Sequence, residues 1–315
     1  MRLTAPRIPF LGSSKSRTPK AIVLGAPLDV TETFRSGTRD GPDRVRAVSD
    51  VLETYSPQLS RDLADLPLAD WGDVDCDGRD LEAVLERIAD AVERACAAGL
   101  PLLIGGEHTA TVGAVRGALR RYRDLHVIQL DAHADLRDDY DGQRLSHATV
   151  MRRIADEIGF ERICQCGIRS GTREELELAQ RCLFSGQELG LPGEALDRIG
   201  SHPVYLTIDI DVLDPSSAPG TGCPEPGGPT FAEVWAFVAS LRDLNVVAVD
   251  VMEVLPAADV NDITSIAAAK LVRDAALLFA RSRVSSSESR VRPTHKRDAQ
   301  SFRFRGRGSR LGTRD

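Results

Sequence analysis

The sequence predicts an α/β protein in which three layers, α-β-α, are built around a mostly parallel central sheet. Short β-branched runs alternate with amphipathic helical segments along most of the chain, no repeat period is visible, and no linker divides the body. Repeated βα alternation of this kind places helices on both faces of a parallel sheet.

AIVLGA (21–26) reads as a strand, and GPDRVRAVSDVLETY (41–55) as a helix with Pro42 in its first turn. In DLEAVLERIADAVERACAAGL (80–100), Leu81, Val84, Leu85, Ile88, Val92 and Ala95 recur at the helical period, and Gly99 marks the end. PLLIGG (101–106) is the next strand, followed by a helix over 108–121 and the strand LHVIQLDA (125–132). HATVMRRIADEIG (147–159) is helical, whereas RICQCGI (162–168) and PVYLTIDIDVL (203–213) are strands. FAEVWAFVASLRDL (231–244), VVAVDVME (246–253) and ITSIAAAKLVRDAALLFARS (263–282) close the body as helix, strand and helix. Residues 18–283 are thus expected to form one domain, with 1–17 as an N-terminal extension and 284–315 as a tail.

With 315 residues, 42% hydrophobic and 28% charged, the chain is neither fibrous nor wholly disordered. Its first residues lack the apolar core of a secretory signal, and no stretch approaches a membrane span. Six cysteines without a CxxC pair argue against a disulfide scaffold or a structural zinc site, so a soluble cytoplasmic protein is expected. The net charge of −7 is uneven: residues 284–315 carry +6, leaving −13 on the body. An acidic body draws in cations and makes a poor nucleic-acid surface. The tail is Ser/Arg/Gly-rich and is expected to stay disordered; its FRFRGRGSR segment is the one stretch suited to nucleic acid or an acidic partner.

Ligands of parallel sheets bind at the carboxyl ends of strands. There the sequence places Gly105-Gly106-Glu107-His108-Thr109, Asp131-Ala132-His133-Ala134-Asp135, Asp209-Ile210-Asp211 and Met252-Glu253. In an extended chain, residues two apart share a face. Asp131, His133 and Asp135 are therefore expected to project together, as are Asp209 and Asp211, with Ile208 and Ile210 turned to the core. Four converging carboxylates repel one another unless cations neutralise them. His108 and His133 complete a six-ligand set for two divalent metals, a pair that can activate water. Oxygen-rich ligation with two imidazoles favours Mn²⁺ over zinc. One buried His or one DxD alone would read as a core residue or a turn; two such clusters at strand ends, in a chain with six His, do not.

The segments GAPLDVTETFRSGTRDGPDRVR, GGEHT, DAHADLRDDYDGQRLSHATVMRR, GIRSGTREE, TIDIDVLDPSSAPGTGCPEPGG and DVMEVLP resemble, in order, those of the ureohydrolase family, most of all its agmatinase branch. The resemblance runs from about Ala21 to Ser282 and implies an arginase/deacetylase-like fold. It implies two Mn²⁺ per subunit, with Asp131 and Asp209 bridging, His108 and Asp135 on one metal, and His133 and Asp211 on the other. It also implies hydrolysis of a guanidino group to an amine and urea, with Asp135 moving a proton. His147 matches the family's proton-shuttling histidine, which also contacts substrate, and Glu253 its guanidinium-holding acid. A trimer or hexamer is implied as well. Glu107, Thr109, Cys223 and Leu255 depart from residues frequent in the family; none is a ligand, and the two loop changes bear on substrate positioning.

Arginases carry an Asn where this chain has Leu145, so an amino-acid head group is expected to meet an apolar side chain. Agmatine, a dication, suits the acidic body, with Asp138, Asp139 and Asp141 as candidate acids for its far amine. Guanidinobutyrate, the second choice, would use Arg137 or Arg144. A single-zinc deacetylase would not need Asp135 and Asp211 paired in this way, and a non-catalytic binding paralogue would have lost ligands that are all present. The loop 33–42, Cys164, Cys166, Trp71 and Trp235 read as a turn, buried thiols and packing residues.

Overall fold

The computed structural model describes residues 3–14 and 16–280. The predicted disordered tail, with its nucleic-acid reading, lies outside the described residues. The strands are β1 (Leu3–Thr4), β2 (Ala21–Ala26), β3 (Tyr55–Ser56), β4 (Arg61–Asp62), β5 (Leu68–Val74), β6 (Leu100–Gly105), β7 (His126–Leu130), β8 (Ile163–Cys166), β9 (Phe184–Gly186), β10 (Pro203–Asp209) and β11 (Asn245–Met252). The helices are α1 (Gly41–Ser49), α2 (Leu81–Ala98), α3 (Ala110–Leu119), α4 (Val150–Ile158), α5 (Arg173–Ala179), α6 (Gly193–Ile199), α7 (Phe231–Ser240) and α8 (Ile263–Phe279).

Nine strands form one sheet in the order β1-β5-β2-β6-β11-β10-β7-β8-β9, while β3 and β4 make a separate hairpin. Among the described residues of this sheet only β1 runs antiparallel, against β5. Successive strand residues feed opposite cores, as the two-residue period requires. Ala21, Val23, Leu206 and Ile208 join α1, α7 and α8 on one face. Ile22, Leu24 and Tyr205 join α2, α3 and α4 on the other. Two glycines let α2 and α3 approach closely: a Cβ on Gly113 would sit 2.5 Å from the Leu85 carbonyl, and one on Gly117 2.4 Å from that of Ala89.

The mostly parallel, helix-flanked sheet is the one the alternation predicts. Helix α1, expected to run to residue 55, stops at Ser49, and Tyr55 instead starts the small hairpin. Arg46 on this helix is fully buried against Asp70 and Asp73, which anchors α1 to β5. Strands β5 and β9 and the seven-residue helices α5 and α6 were not expected. The segment 3–14 is tied down: β1 pairs with β5, Phe10 is 1% exposed, and its N–H donates to Asp70.

Strands β10 and β11 lie between β6 and β7, and the neighbours β10 and β7 send the chain in opposite directions, β10 to β11 and β7 to β8. A crevice opens at the carboxyl ends of such strands. The four central strands deliver His108, Glu253, Asp209 and Asp131 there. No helix among the described residues is long and apolar enough to cross a membrane.

Candidate metal centre and active site

The ends of β6, β7 and β10 bring all six predicted ligands together, though not by the expected strand geometry. Strand β7 ends at Leu130, and Asp131, His133 and Asp135 lie on the loop beyond it. Strand β10 ends at Asp209, which caps a 3₁₀ turn over Ile210–Val212 by accepting from the Asp211 N–H at 2.9 Å. Ile208 and Ile210 are both buried, as expected. Convergence therefore comes from a loop and a turn held by the carboxylates themselves. Asp131 accepts from the His133 N–H at 2.6 Å, and Asp211 from the Ala132 N–H at 3.1 Å. Asp135 and Glu253 hold left-handed φ angles of 53° and 65°, a strain that clusters at functional positions.

His108 Nδ1 is buried and has no hydrogen-bond partner. It faces Oδ2 of Asp131 at 3.2 Å, Asp135 at 3.2 Å and Asp209 at 3.4 Å. Its Nε2 is fixed 2.9 Å from the Thr207 hydroxyl. His133 Nδ1 lies 2.8 Å from Asp211 Oδ2 and 3.7 Å from Asp131 Oδ1. Two groups, His108–Asp131–Asp209 and Asp131–His133–Asp211, each offer ligand atoms within 4.8 Å of one another and share Asp131. An orphaned imidazole nitrogen among buried oxygens fits a cation, and a shared carboxylate fits two.

The electrostatics say the same. Burial, then Asp211 and Asp131, push the Asp209 carboxyl well above its usual range. Burial and Asp131 push Asp135 up to about 7. Burial opposes charge on both imidazoles, yet the surrounding aspartates raise His108 and His133 above the usual histidine value. Without bound cations the cluster holds protons in their place.

A cavity of about 330 Å³ opens above this cluster, with Glu253, His147, Arg137 and Tyr140 in its wall. Glu253 accepts from the His108 N–H at 2.6 Å; burial, then Glu32 and Asp209, raise its pKa far above the ordinary carboxylate value. His147 opens a 3₁₀ turn capped by Ser146, and its N–H donates to the Thr31 hydroxyl at 3.0 Å. Burial lowers its pKa, so its imidazole is neutral near pH 7.

Two substrate arguments change. Leu145 is half-buried against the apolar core and is not part of the cavity wall, so a head group in the cavity would not touch it. Asp138 is exposed and ion-paired with Arg153 at 2.7 Å, and Arg144 is exposed beside Asp156, which leaves neither facing the cavity. Asp139 and Asp141 are also outside its wall. Arg137 lines it, but stacks on Tyr140 at 4.5 Å and points Nε at Glu175. Cys223 lies in the cavity wall, while Leu255 is buried. Cys164 and Cys166 are buried, their thiols pushed up to about 12, and the Trp235 indole donates to Asp274.

Several cavity residues escaped sequence reasoning, Glu32 and Tyr140 among them. Glu32 lies beside Glu253, on a loop that the buried Glu107 holds by accepting from the Val30 and Thr31 N–H groups, each at 2.6 Å. Nothing in the sequence near Glu32 marks it, because the cavity acid it meets, Glu253, and the acid that holds its loop, Glu107, come from segments more than 70 residues away.

The profile of the arginase family matches residues 19–278. The agmatinase of Bacillus subtilis is 42% identical over 265 residues, covering 82% of this chain and 91% of its own. That of Bacillus anthracis is 41% identical over 261 residues, covering 81% and 90%. The solved agmatine ureohydrolase of Thermoplasma volcanium superposes with a TM-score of 0.76 at 33% identity, covering 85% of this chain and 95% of that one. A family whose fold implies a binuclear metal site thus coincides with two ligand groups sharing Asp131, and the chain belongs to the arginase family of ureohydrolases, in its agmatinase branch.

Proposed function

We propose that the cavity hydrolyses agmatine to putrescine and urea, using two Mn²⁺ held by His108, Asp131, His133, Asp135, Asp209 and Asp211. Membership of the family makes the chain a metal-dependent amidinohydrolase acting on guanidino compounds. The choice of agmatine rests above all on a cavity floored by carboxylates, whose one arginine already faces Glu175. A dication gains there, and an anionic tail is repelled.

When bound, two divalent cations supply an activated water and anchor the oxygen that develops charge. The chain's own residues do the rest. Glu253, its backbone fixed at the end of β11, accepts the guanidinium through a bidentate carboxylate and so sets its carbon over the cluster. Asp135 is placed to take the proton released by the attacking water and return it to the leaving nitrogen. His147 Nδ1 faces Thr31 and Ser146 at 3.4 Å, which leaves Nε2 for the substrate side. A neutral imidazole there can take up a proton from solvent and pass it to the departing amine.

Purified protein loaded with Mn²⁺ should release urea from agmatine, and lose this activity on chelation or in Asp131→Ala. Turnover of guanidinobutyrate in place of agmatine would instead assign Arg137 to a carboxylate tail. Mn²⁺, Co²⁺ and Zn²⁺ compared at equal loading identify the working metal. A cytoplasmic homo-oligomer, trimer or hexamer, belongs to the same proposal and is checked by light scattering.

A further inference from the structure

Glu32 and Glu253 both line the cavity, with their carboxyl groups close enough to interact. Among the described residues neither has an Arg or Lys ion-pair partner; the Glu32 environment otherwise holds Glu107, Asp29 and the Thr38 hydroxyl, which lies 3.4 Å from Oε1. The Oε2 atoms of both glutamates face one point: a Cβ built on Gly222 would lie 3.4 Å from that of Glu32 and 3.9 Å from that of Glu253. A buried acid meeting a half-buried one without a basic partner stays costly until a cation joins them.

The loop bearing Glu32 is preorganised. Glu107 holds Val30 and Thr31, and Asp29 accepts from the Gly37 N–H at 2.7 Å. Thr31 also supports His147, so the loop ties one cavity wall to the other.

Position decides which end of a substrate Glu32 meets. Glu253 touches His108 and neighbours Asp209, so it marks the reacting end. An ammonium four methylenes further on would not reach a carboxylate in contact with Glu253. A guanidinium has five N–H donors in a planar fork, more than one carboxylate can accept.

Building on the proposed function, we propose that Glu32 is a second guanidinium acceptor, sharing the cation with Glu253 and binding whichever linear guanidine is offered, whatever its tail. The test compares wild type with Glu32→Gln, both loaded with metal, on agmatine, guanidinobutyrate and butylguanidine. KM should rise by one common factor, on the order of tenfold or more for a lost charge-assisted hydrogen bond. The kcat should stay within about threefold, and Glu32→Asp should recover part of the loss. Equal KM values, or a change confined to one tail, would overturn the assignment. Unchanged metal content and Tm in the variant exclude a folding defect. Should the wild type cleave no guanidine, the proposed function fails on its own. Calorimetric titration with methylguanidine still decides the role of Glu32: weaker binding by about tenfold in Glu32→Gln supports it, and equal binding, or none to either protein, removes it.

Discussion

Two clusters of buried charge lie in this one sheet, and they have opposite balances. On the β2–β5 side, Arg46 gives Nε to Asp70 at 2.9 Å and Nη1 to Asp73 at 2.6 Å, and Asp70 also accepts backbone N–H groups from Phe10 and Gly72. Every charge there has a partner within the fold. At the ends of β6, β7, β10 and β11, four aspartates and Glu253 surround two imidazoles, and among the described residues no Arg or Lys pairs with them. Compensated charge fastens α1 to the sheet; uncompensated charge is stability given up for a ligand. Burial alone does not mark a site, but burial without a counter-charge does.

The largest contrast should come from exchanging the two defects. Asp209→Asn should lower urea release roughly 10³-fold, the several kcal/mol that metal activation supplies. It should leave the metal-free Tm unchanged or raised, because it removes a charge that burial already disfavours. Arg46→Met should do the reverse, costing about 3–5 kcal/mol through two orphaned carboxylates, or roughly 10 °C in Tm. Metal content per folded chain should be unaltered. A metal-free Tm that drops as far in Asp209→Asn as in Arg46→Met would erase the distinction.

Next in size is the pH dependence of the metal-free protein. Asp135 is raised from 3.8 to about 7, and Asp209 and Asp211 are raised in the same direction. A carboxyl with a raised folded-state pKa favours folding below its unfolded pKa and loses that contribution as pH climbs through the folded value. The metal-free Tm should therefore fall as pH rises from about 4 to beyond 7. Loading metal should remove the trend, since cations replace the protons. His147→Ala should lower kcat by about 10²-fold with both metals retained. Leu145→Asn should change agmatine turnover by less than about twofold and create no arginase activity, since the side chain lies outside the cavity wall.

Much of this was legible in the sequence because the central strands are buried on both faces and read as plain apolar runs. The ligands were legible because they follow those runs directly. Strand β5 escaped because Asp70 and Asp73 interrupt its apolar character, and both are there for Arg46, a partner from another segment. Helix α1 was read too long because Val51 and Leu52 continue its period, although Val51 is 68% exposed and the chain turns there. The alternation rule gave the right convergence for the wrong reason: Asp135, with φ 53°, belongs to no strand. Glu32 was hidden because loop packing, not local pattern, brings it to Glu253.

The placement of β10 and β11 between β6 and β7 has a consequence for how the chain is made. While a ribosome has delivered only the first two hundred residues, the sheet exists as two separate pieces, one ending at β6 and the other at β7, each with an open edge. Such edges invite pairing with other chains. Residues 203–253 supply the two strands that join these edges, and they carry Asp209, Asp211 and Glu253. The same strands that close the sheet complete the candidate metal cluster, so a chain lacking them has neither.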